Sequence, residues 1–171
     1  GIGRKYIQNA IAPFNTVQVD GHIIDIIYTT QIRMPDGTIR VMPAHRCWVF
    51  AVIDVATRCI LGYSTSQEMN YNQYDVLRAF QNAILPHKKI DFTIPGYSYP
   101  DNGGFPSLAL PETQYALFDI VMLDNAKSHL SKNVRNKALN IINCTLNYGS
   151  VATPETRGII ERFFGTLETN G

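Results

Sequence analysis

The chain has 171 residues, of which 45% are hydrophobic and 17% charged, and its formal net charge at pH 7 is +1. This composition is ordinary for a globular protein, and the length favours one domain with a sizeable core. The sequence contains no apolar run of about 18 residues and no charged-then-apolar leader. We therefore expect a cytoplasmic protein with neither a membrane span nor a signal peptide.

The two ends of the sequence indicate a fragment. It starts at Gly1 without a methionine and stops at the end of a predicted helix. We therefore expect a single domain over residues 1–171 that belongs to a longer protein. Residues 1–15, which include Pro13, are predicted to form an N-terminal arm.

The cysteines lie far apart, each in an apolar run. We interpret Cys47, Cys59 and Cys144 as buried, reduced thiols. The sequence has no CxxC or HxxxH pair, so we expect no structural zinc site.

The first predicted strand covers residues 16–28, which are rich in β-branched and apolar side chains. Strict alternation puts Gln18, Asp20 and His22 on one face of it. The Pro35-Asp36-Gly37 sequence is typical of a turn, so the strand is expected to run into a hairpin that returns over residues 38–42.

Two more strands and a helix follow. The near-continuous apolar run over residues 47–55 predicts a strand buried on both faces, and residues 59–66 predict the next strand. A helix is predicted over residues 72–85, with Val76, Phe80, Ala83 and Ile84 on its inner face.

The sequence changes character over residues 86–118, a Pro/Gly-rich insertion without a periodic pattern. A short strand is predicted over residues 118–123, a helix over 131–140 and a last strand over 142–146. Three strands in a meander followed by alternating helices and strands predict an α/β fold with a five-stranded mixed sheet flanked by helices.

The closing helix is predicted from Pro154, which suits a first helical turn. Its apolar positions follow helical spacing and form one stripe, with Glu161 at the edge of that stripe. The stripe consists of Ile160, Phe163, Phe164 and Leu167.

Three carboxylates are candidates for a shared site: Asp20 within the first strand, Asp124 at the carboxyl end of the fourth and Glu161 on the closing helix. They converge if the closing helix packs beside the first and fourth strands. Their mutual repulsion would then favour divalent cations with oxygen ligands, such as Mg²⁺ or Mn²⁺. Two such ions roughly 3.5–4 Å apart can activate a nucleophile and stabilise a leaving oxygen, which predicts phosphodiester chemistry.

Each acid also has a purely structural interpretation. The Asp124-Asn125 pair could form a strand-ending turn, Asp20 could have a structural role, and Glu161 could pair with Arg157. Asp54 ends the second strand just before a turn and is predicted to cap that turn. Three further acids are interpreted as surface residues: Asp25, Glu155 and Glu168.

Four segments together resemble the DDE transposases and retroviral-type integrases, in particular the Mu-type bacterial transposases of the RNase H-like superfamily. They are VQVD (17–20), FAVIDVATRCILGY (50–63), DN (124–125) and PETRGIIERFFGTL (154–167). The last is the most specific, because its proline, glycine and Glu-Arg-Phe-Phe run recur together at this spacing. The resemblance covers residues 14–168.

The resemblance implies an RNase H-like catalytic core in which Asp20, Asp124 and Glu161 are the catalytic triad and hold two Mg²⁺ or Mn²⁺ ions. It implies cleavage of transposon ends and joining of the 3′-OH to target DNA, by a homo-oligomer in a bacterial cell. No small-molecule cofactor is implied, and we expect folding to require no metal. The domains that recognise the transposon ends are expected to lie outside this chain.

The candidate DNA-binding residues lie mostly beyond the second acid. Residues 125–154 contain no Asp or Glu but several basic side chains, which favours a polyanion, although a solvated helix face is the alternative. In the resemblance, Asn125 and Lys127 match a polar loop after the second Asp. The full set is Asn125, Lys127, His129, Lys132, Arg135 and Arg157.

Two segments depart from the family pattern. Residues 30–46 and 86–118 look inserted, and either could alter the DNA path or a subunit contact. Two other functions fit the same residues: an RNase H-like nuclease that only hydrolyses, and a non-catalytic domesticated core that serves in DNA binding or assembly. A degenerate core has no reason to keep all three acids, which argues against the second.

Overall fold

A computed structural model describes residues 12–93, 95–101, 103–123, 136, 143–148 and 158–170. The described strands are β1 (Thr16–Ile24), β2 (Tyr28–Arg33), β3 (Ile39–Ala44), β4 (Cys47–Asp54), β5 (Ile60–Ser66), β6 (Ile120–Leu123) and β7 (Thr145–Tyr148). The described helices are α1 (Gln73–Ile84), the short α2 (Pro106–Ala109), a 3₁₀ turn (Pro111–Thr113) and α3 (Gly158–Asn170).

Five of the strands form one mixed sheet in the order β5-β4-β1-β6-β7. The central strand β1 pairs antiparallel with β4 and parallel with β6, while β5 and β7 lie at the edges. The prediction of an α/β fold with a five-stranded mixed sheet flanked by helices is confirmed.

The strand predicted over residues 16–28 is two strands. β1 ends at Ile24, its last residue paired with β4, and the next three residues are irregular and exposed. β2 and β3 then form a separate two-stranded sheet, the ribbon. The predicted turn joins them: the Met34 N–H donates to the Thr38 carbonyl at 2.8 Å, and Gly37 takes a φ of 84°.

Helix α1 covers one face of the sheet. A capping box closes its N-terminus. The Asn72 side chain accepts from the Tyr74 N–H and the Asp75 carboxylate accepts from the Asn72 N–H, both at 2.8 Å. Gly62 on β5 lets the helix approach closely, because a Cβ there would stand 2.4 Å from the Ala83 nitrogen. The core under α1 contains Val17, Val19, Phe50, Val52, Leu61, Val76, Ala79, Phe80 and Ala83.

Helix α3 covers the opposite face, over β1 and β4. Ile160 and Phe164 are buried against Ala51 and Ile53, and Phe163 and Leu167 pack at the margin of this cluster. The predicted apolar stripe of the closing helix is therefore confirmed.

The later elements differ in detail from the prediction. β6 starts at Ile120, and β7 starts three residues after its predicted beginning because Asn143 has a left-handed φ of 54° that strand pairing does not accept. The insertion contains α2 and the 3₁₀ turn. Of the helix predicted over residues 131–140, the structure describes Asn136 alone, which is helical and exposed.

One of the three cysteine predictions is wrong. Cys47 and Cys144 are buried, and burial raises the pKa of both thiols. Cys59 is exposed, because it lies in the β4–β5 turn rather than in β5 itself. No helix among the described residues is long and apolar enough to cross a membrane.

Candidate functional site

Asp20 lies on the face of β1 that α3 covers. Two neighbours on that face contact the helix directly: the Gln18 Oε1 accepts from the Ile160 N–H at 3.3 Å, and the His22 Nε2 lies 2.7 Å from the Glu168 Oε1. Asp20 is between them, as the predicted alternation of β1 requires. The half-buried Asp20 is therefore flanked on its strand by contacts to α3.

Glu161 lies in the first turn of α3, immediately after Ile160, and it is exposed. It precedes Glu168 by seven residues, which is within about 20° of two full helical turns. Because Glu168 contacts His22 on β1, Glu161 projects from the same side of the helix. Asp20 on β1 and Glu161 on α3 therefore lie, along their own elements, between the Gln18–Ile160 and His22–Glu168 contacts.

The backbone around Asp20 is shaped by a glycine. One carboxylate oxygen of Asp20 accepts from the Gly21 N–H at 2.8 Å. A Cβ at residue 21 would stand 2.2 Å from the Phe50 ring, on the face opposite α3, so a larger side chain would displace the ring. The Asp-Gly sequence thus fits a carboxylate on one face and an aromatic ring on the other.

The third predicted acid follows the end of β6. The parallel pairing of β1 with β6 ends at Val19 and Leu123, so Asp20 is the first residue of β1 beyond it. Asp124 is the next residue after Leu123 in the sequence but lies outside the described residues. The same holds for all the predicted DNA-binding residues, namely Asn125, Lys127, His129, Lys132, Arg135 and Arg157, and for Glu155.

The acids at this site offer oxygen ligands only. The imidazole on the same face of β1, that of His22, has its Nε2 2.7 Å from the Glu168 Oε1. Oxygen ligands suit hard cations such as Mg²⁺. The described part of the chain, which lacks Asp124, holds no group of three His, Cys, Asp or Glu that could bind a metal ion.

Asp54 has the structural role predicted for it. It is 1% exposed, and its carboxylate accepts from the Thr57 N–H at 2.8 Å and the Thr57 hydroxyl at 2.6 Å. Its other oxygen accepts from the Phe14 N–H at 2.9 Å. Asp54 therefore closes the β4–β5 turn and ties it to the segment before β1.

Glu168 is an exposed residue as predicted, but sequence reasoning missed its contact with His22. The Glu168 carboxylate is hydrogen-bonded to His22, whose ring also stacks on Phe164. The available signals were the seven-residue spacing of Glu161 and Glu168 and the alternation that places His22 beside Asp20. Asp25, by contrast, is a surface residue as predicted, in an exposed ion pair with Arg46.

A match to a protein-family model shows which family the chain belongs to. The model of the TnsB C-terminal domain family matches residues 18–170, nearly the whole chain. The chain belongs to the TnsB C-terminal domain family. It is thus a transposase-related domain with a role in DNA binding. The matched range of this TnsB C-terminal domain contains Asp20, Asp124 and Glu161, and a search of curated proteins finds no match to the chain.

Proposed function

We propose that this TnsB C-terminal domain is the catalytic core of a DDE transposase with an RNase H-like fold, similar to the Mu-type bacterial enzymes. It cleaves transposon ends and joins the freed 3′-OH to target DNA by phosphoryl transfer. Asp20, Asp124 and Glu161 are the catalytic residues. The domain acts in a homo-oligomeric complex in the bacterial cytoplasm.

One observation carries the proposal. The hydrogen bond from Ile160 to Gln18 and the contact of Glu168 with His22 flank Asp20 on β1 and Glu161 on α3. Two acids that are 141 positions apart in the sequence are thus carried by a strand and a helix that pack on each other. In the proposed site their carboxylates would repel each other, and a bound divalent cation would relieve that repulsion.

The sheet supports the proposal independently. β1 is central, with β4 antiparallel on one side and β6 parallel on the other, so the strand that carries Asp20 and the strand that precedes Asp124 are neighbours. The parallel pairing stops one residue before Asp20, where the sequence reaches Asp124 after Leu123. In α/β sheets, ligands bind beyond the carboxyl ends of such strands.

The carboxylates of Asp20, Asp124 and Glu161 would hold Mg²⁺ or Mn²⁺, in a pair of ions. When bound, these ions would supply charge neutralisation at the phosphate and activation of the attacking hydroxyl. The chain itself contributes rigid placement: Asp20 is fixed on the central strand and Glu161 on a helix packed against it. Positioning and charge are the main demands of phosphoryl transfer, so no protein nucleophile is needed.

The acid-free segment over residues 125–154 is the proposed path of the DNA backbone. Its basic side chains would neutralise phosphates and so contribute affinity that falls with salt. The candidate contacts are Asn125, Lys127, His129, Lys132 and Arg135, with Arg157 close to the last helix.

The test compares Asp20→Asn, Asp124→Asn and Glu161→Gln in the full-length protein, on DNA with the ends of its own element and Mg²⁺. Each variant removes one charge and keeps the side-chain shape. Asp25→Asn is the matched control, because Asp25 follows β1 but is exposed and paired with Arg46. End cleavage, strand joining and DNA binding are measured separately for every protein.

We expect each of the three variants to lose cleavage and joining by about a thousandfold or more while DNA binding and the Asp25→Asn control stay near wild type. Cleavage without joining in the wild-type protein would identify a hydrolytic nuclease instead. Full activity in all three variants, or a wild-type protein that only binds DNA, would identify a non-catalytic module.

A further inference from the structure

The His22–Glu168 contact joins β1, which carries Asp20, to α3, which carries Glu161. The His22 Nε2 lies 2.7 Å from the Glu168 Oε1, and the His22 ring stacks on Phe164 with centroids 5.0 Å apart. We propose that His22 and Glu168 are positioning residues that fix the rotation of α3 and thereby hold Glu161 beside Asp20. This inference rests on the proposed function.

The rotation of the helix is what this contact controls. Apolar packing of Ile160 and Phe164 on β4 holds α3 against the sheet, but hydrophobic contacts are not directional and tolerate rotation. Two hydrogen bonds between β1 and α3 are directional: the Ile160 N–H to Gln18 at the start of the helix, and the His22–Glu168 contact two turns later. The second acts through a side chain that projects from the helix, so it fixes the orientation of α3 about its axis.

Glu161 shares that orientation with Glu168. Seven residues bring a helix to within about 20° of the same direction, so a rotation that moves Glu168 from His22 moves Glu161 in the same sense. The two glutamates are separated along the axis by about 10 Å. The His22–Glu168 contact thus orients Glu161 from about 10 Å away along the helix, so Glu168 itself need not touch the reacting groups.

His22 connects the His22–Glu168 contact to Asp20. It is two residues from Asp20 on the same strand and face, so the position of Glu161 is set relative to the strand that carries Asp20. The ring stack on Phe164, which is buried, limits the movement of His22 itself. β1, the His22–Glu168 contact and α3 together fix the position of Glu161 relative to Asp20.

A purely structural role makes a different prediction. The side chains of His22 and Glu168 are 40% and 48% exposed. Exposed ion pairs contribute little to folding stability because solvent screens them and the side chains lose entropy. If the contact served only the fold, its removal would lower stability slightly and leave the rate of the chemical step unchanged.

The experiment measures initial rates of joining of pre-cut ends to target DNA by the full-length protein at varied DNA concentration, so that kcat and KM for DNA are determined separately. The variants are Glu168→Ala, which removes the acceptor, and Glu168→Gln, whose amide oxygen can still accept from His22. Thr166→Ala is the matched control, since it alters an exposed residue of α3 directed away from β1. Glu161→Gln is assayed alongside.

We expect Glu168→Ala to lower kcat about tenfold or more with KM and the melting temperature unchanged, since small displacements of a catalytic group cost that much. Glu168→Gln should recover most of the rate, and Thr166→Ala should match wild type. His22→Ala combined with Glu168→Ala should be no slower than the slower single variant, as expected for partners in one contact.

Each other result overturns a specific claim. If Glu168→Ala joins ends at the wild-type rate, or changes only KM, while Glu161→Gln is inactive, the positioning role is wrong and the proposed function stands. Failure of Glu168→Gln to recover the rate would also exclude it. Wild-type joining by Glu161→Gln would overturn the proposed function itself.

Discussion

At the scale of single residues, Asp20 and Asp54 show how one side-chain type takes two roles in adjacent strands. Asp54 is almost fully buried and accepts three hydrogen bonds, from the Phe14 and Thr57 amides and the Thr57 hydroxyl. Asp20 is half-buried on the face under α3. Local sequence separates them, because a turn follows Asp54 at once whereas Asp20 is within a strand.

The role of Asp54 gives a stability prediction. Asp54→Ala should lower the free energy of unfolding by about 2–4 kcal/mol, because it leaves the amides of Phe14 and Thr57 without their acceptor. Urea denaturation of the isolated chain measures this, with Asp25→Ala as the control at an exposed carboxylate. A loss no larger than that of the control would show that the turn does not depend on the carboxylate.

The His22–Glu168 contact could not be predicted from the residues one at a time. The two residues are 146 positions apart, and neither position carries a local pattern that names the other. Only the packing of α3 on β1 brings them together. The alternation of β1 and the spacing of Glu161 and Glu168 narrow the choice of partners but do not determine it.

At the scale of elements, predictions succeeded where the signal is local. Helix α1 carries its apolar stripe within its own sequence, and the helix and the stripe are confirmed, with Asn72 as the capping residue rather than the first helical one. The start of β7 was predicted three residues too early, because neither the left-handed conformation of Asn143 nor the register of pairing with β6 can be read from composition. The ribbon was read as a continuation of β1, since strand propensity does not reveal where pairing with β4 ends.

The insertion is joined to the sheet by a cluster of side chains around His87. The His87 ring stacks on Phe105 with centroids 3.8 Å apart, and its Nδ1 lies 2.9 Å from the Ser107 Oγ. Phe105 in turn stacks on Tyr63 of β5. The Ser107 hydroxyl accepts from the His87 backbone N–H, which leaves its proton to be donated to Nδ1 of a neutral imidazole.

This cluster predicts a pH dependence. Burial lowers the pKa of His87, so the folded chain binds a proton there less readily than the unfolded chain, whose value is about 6.5. The contribution of neutral His87 to the free energy of unfolding is therefore complete above about pH 6.5. It is lost as the pH falls through the lowered pKa of His87 in the folded chain.

The measurement is the urea midpoint at pH 7.5 and at pH 5 for wild type and His87→Phe. The variant keeps a ring for the Phe105 stack but cannot be protonated, so its midpoint should fall less between the two pH values. Other groups titrate in both proteins and cancel in the comparison. Equal losses would exclude His87 as a source of the pH dependence.

At the scale of the whole molecule, the described residues divide into a packed sheet with its helices and a ribbon outside the core. Every residue of β2 and β3 is exposed or half-buried. Four large apolar side chains of the ribbon face solvent: Ile32, Ile39, Val41 and Met42. The core clusters instead combine strands of the five-stranded sheet with α1 and α3.

This division predicts that the core folds without the ribbon. Tyr28 and Ala44 are directly paired at its base, so a two-residue Asn-Gly turn can replace residues 29–43 without moving β1 or β4. We expect the free energy of unfolding to change by less than about 1 kcal/mol, because no buried apolar area is lost and a shorter loop costs less entropy to close. Guanidinium denaturation of the shortened and intact chains measures the difference. A non-cooperative transition in the shortened chain would show that the ribbon is part of the folding unit, since a two-state core should keep its single sharp transition.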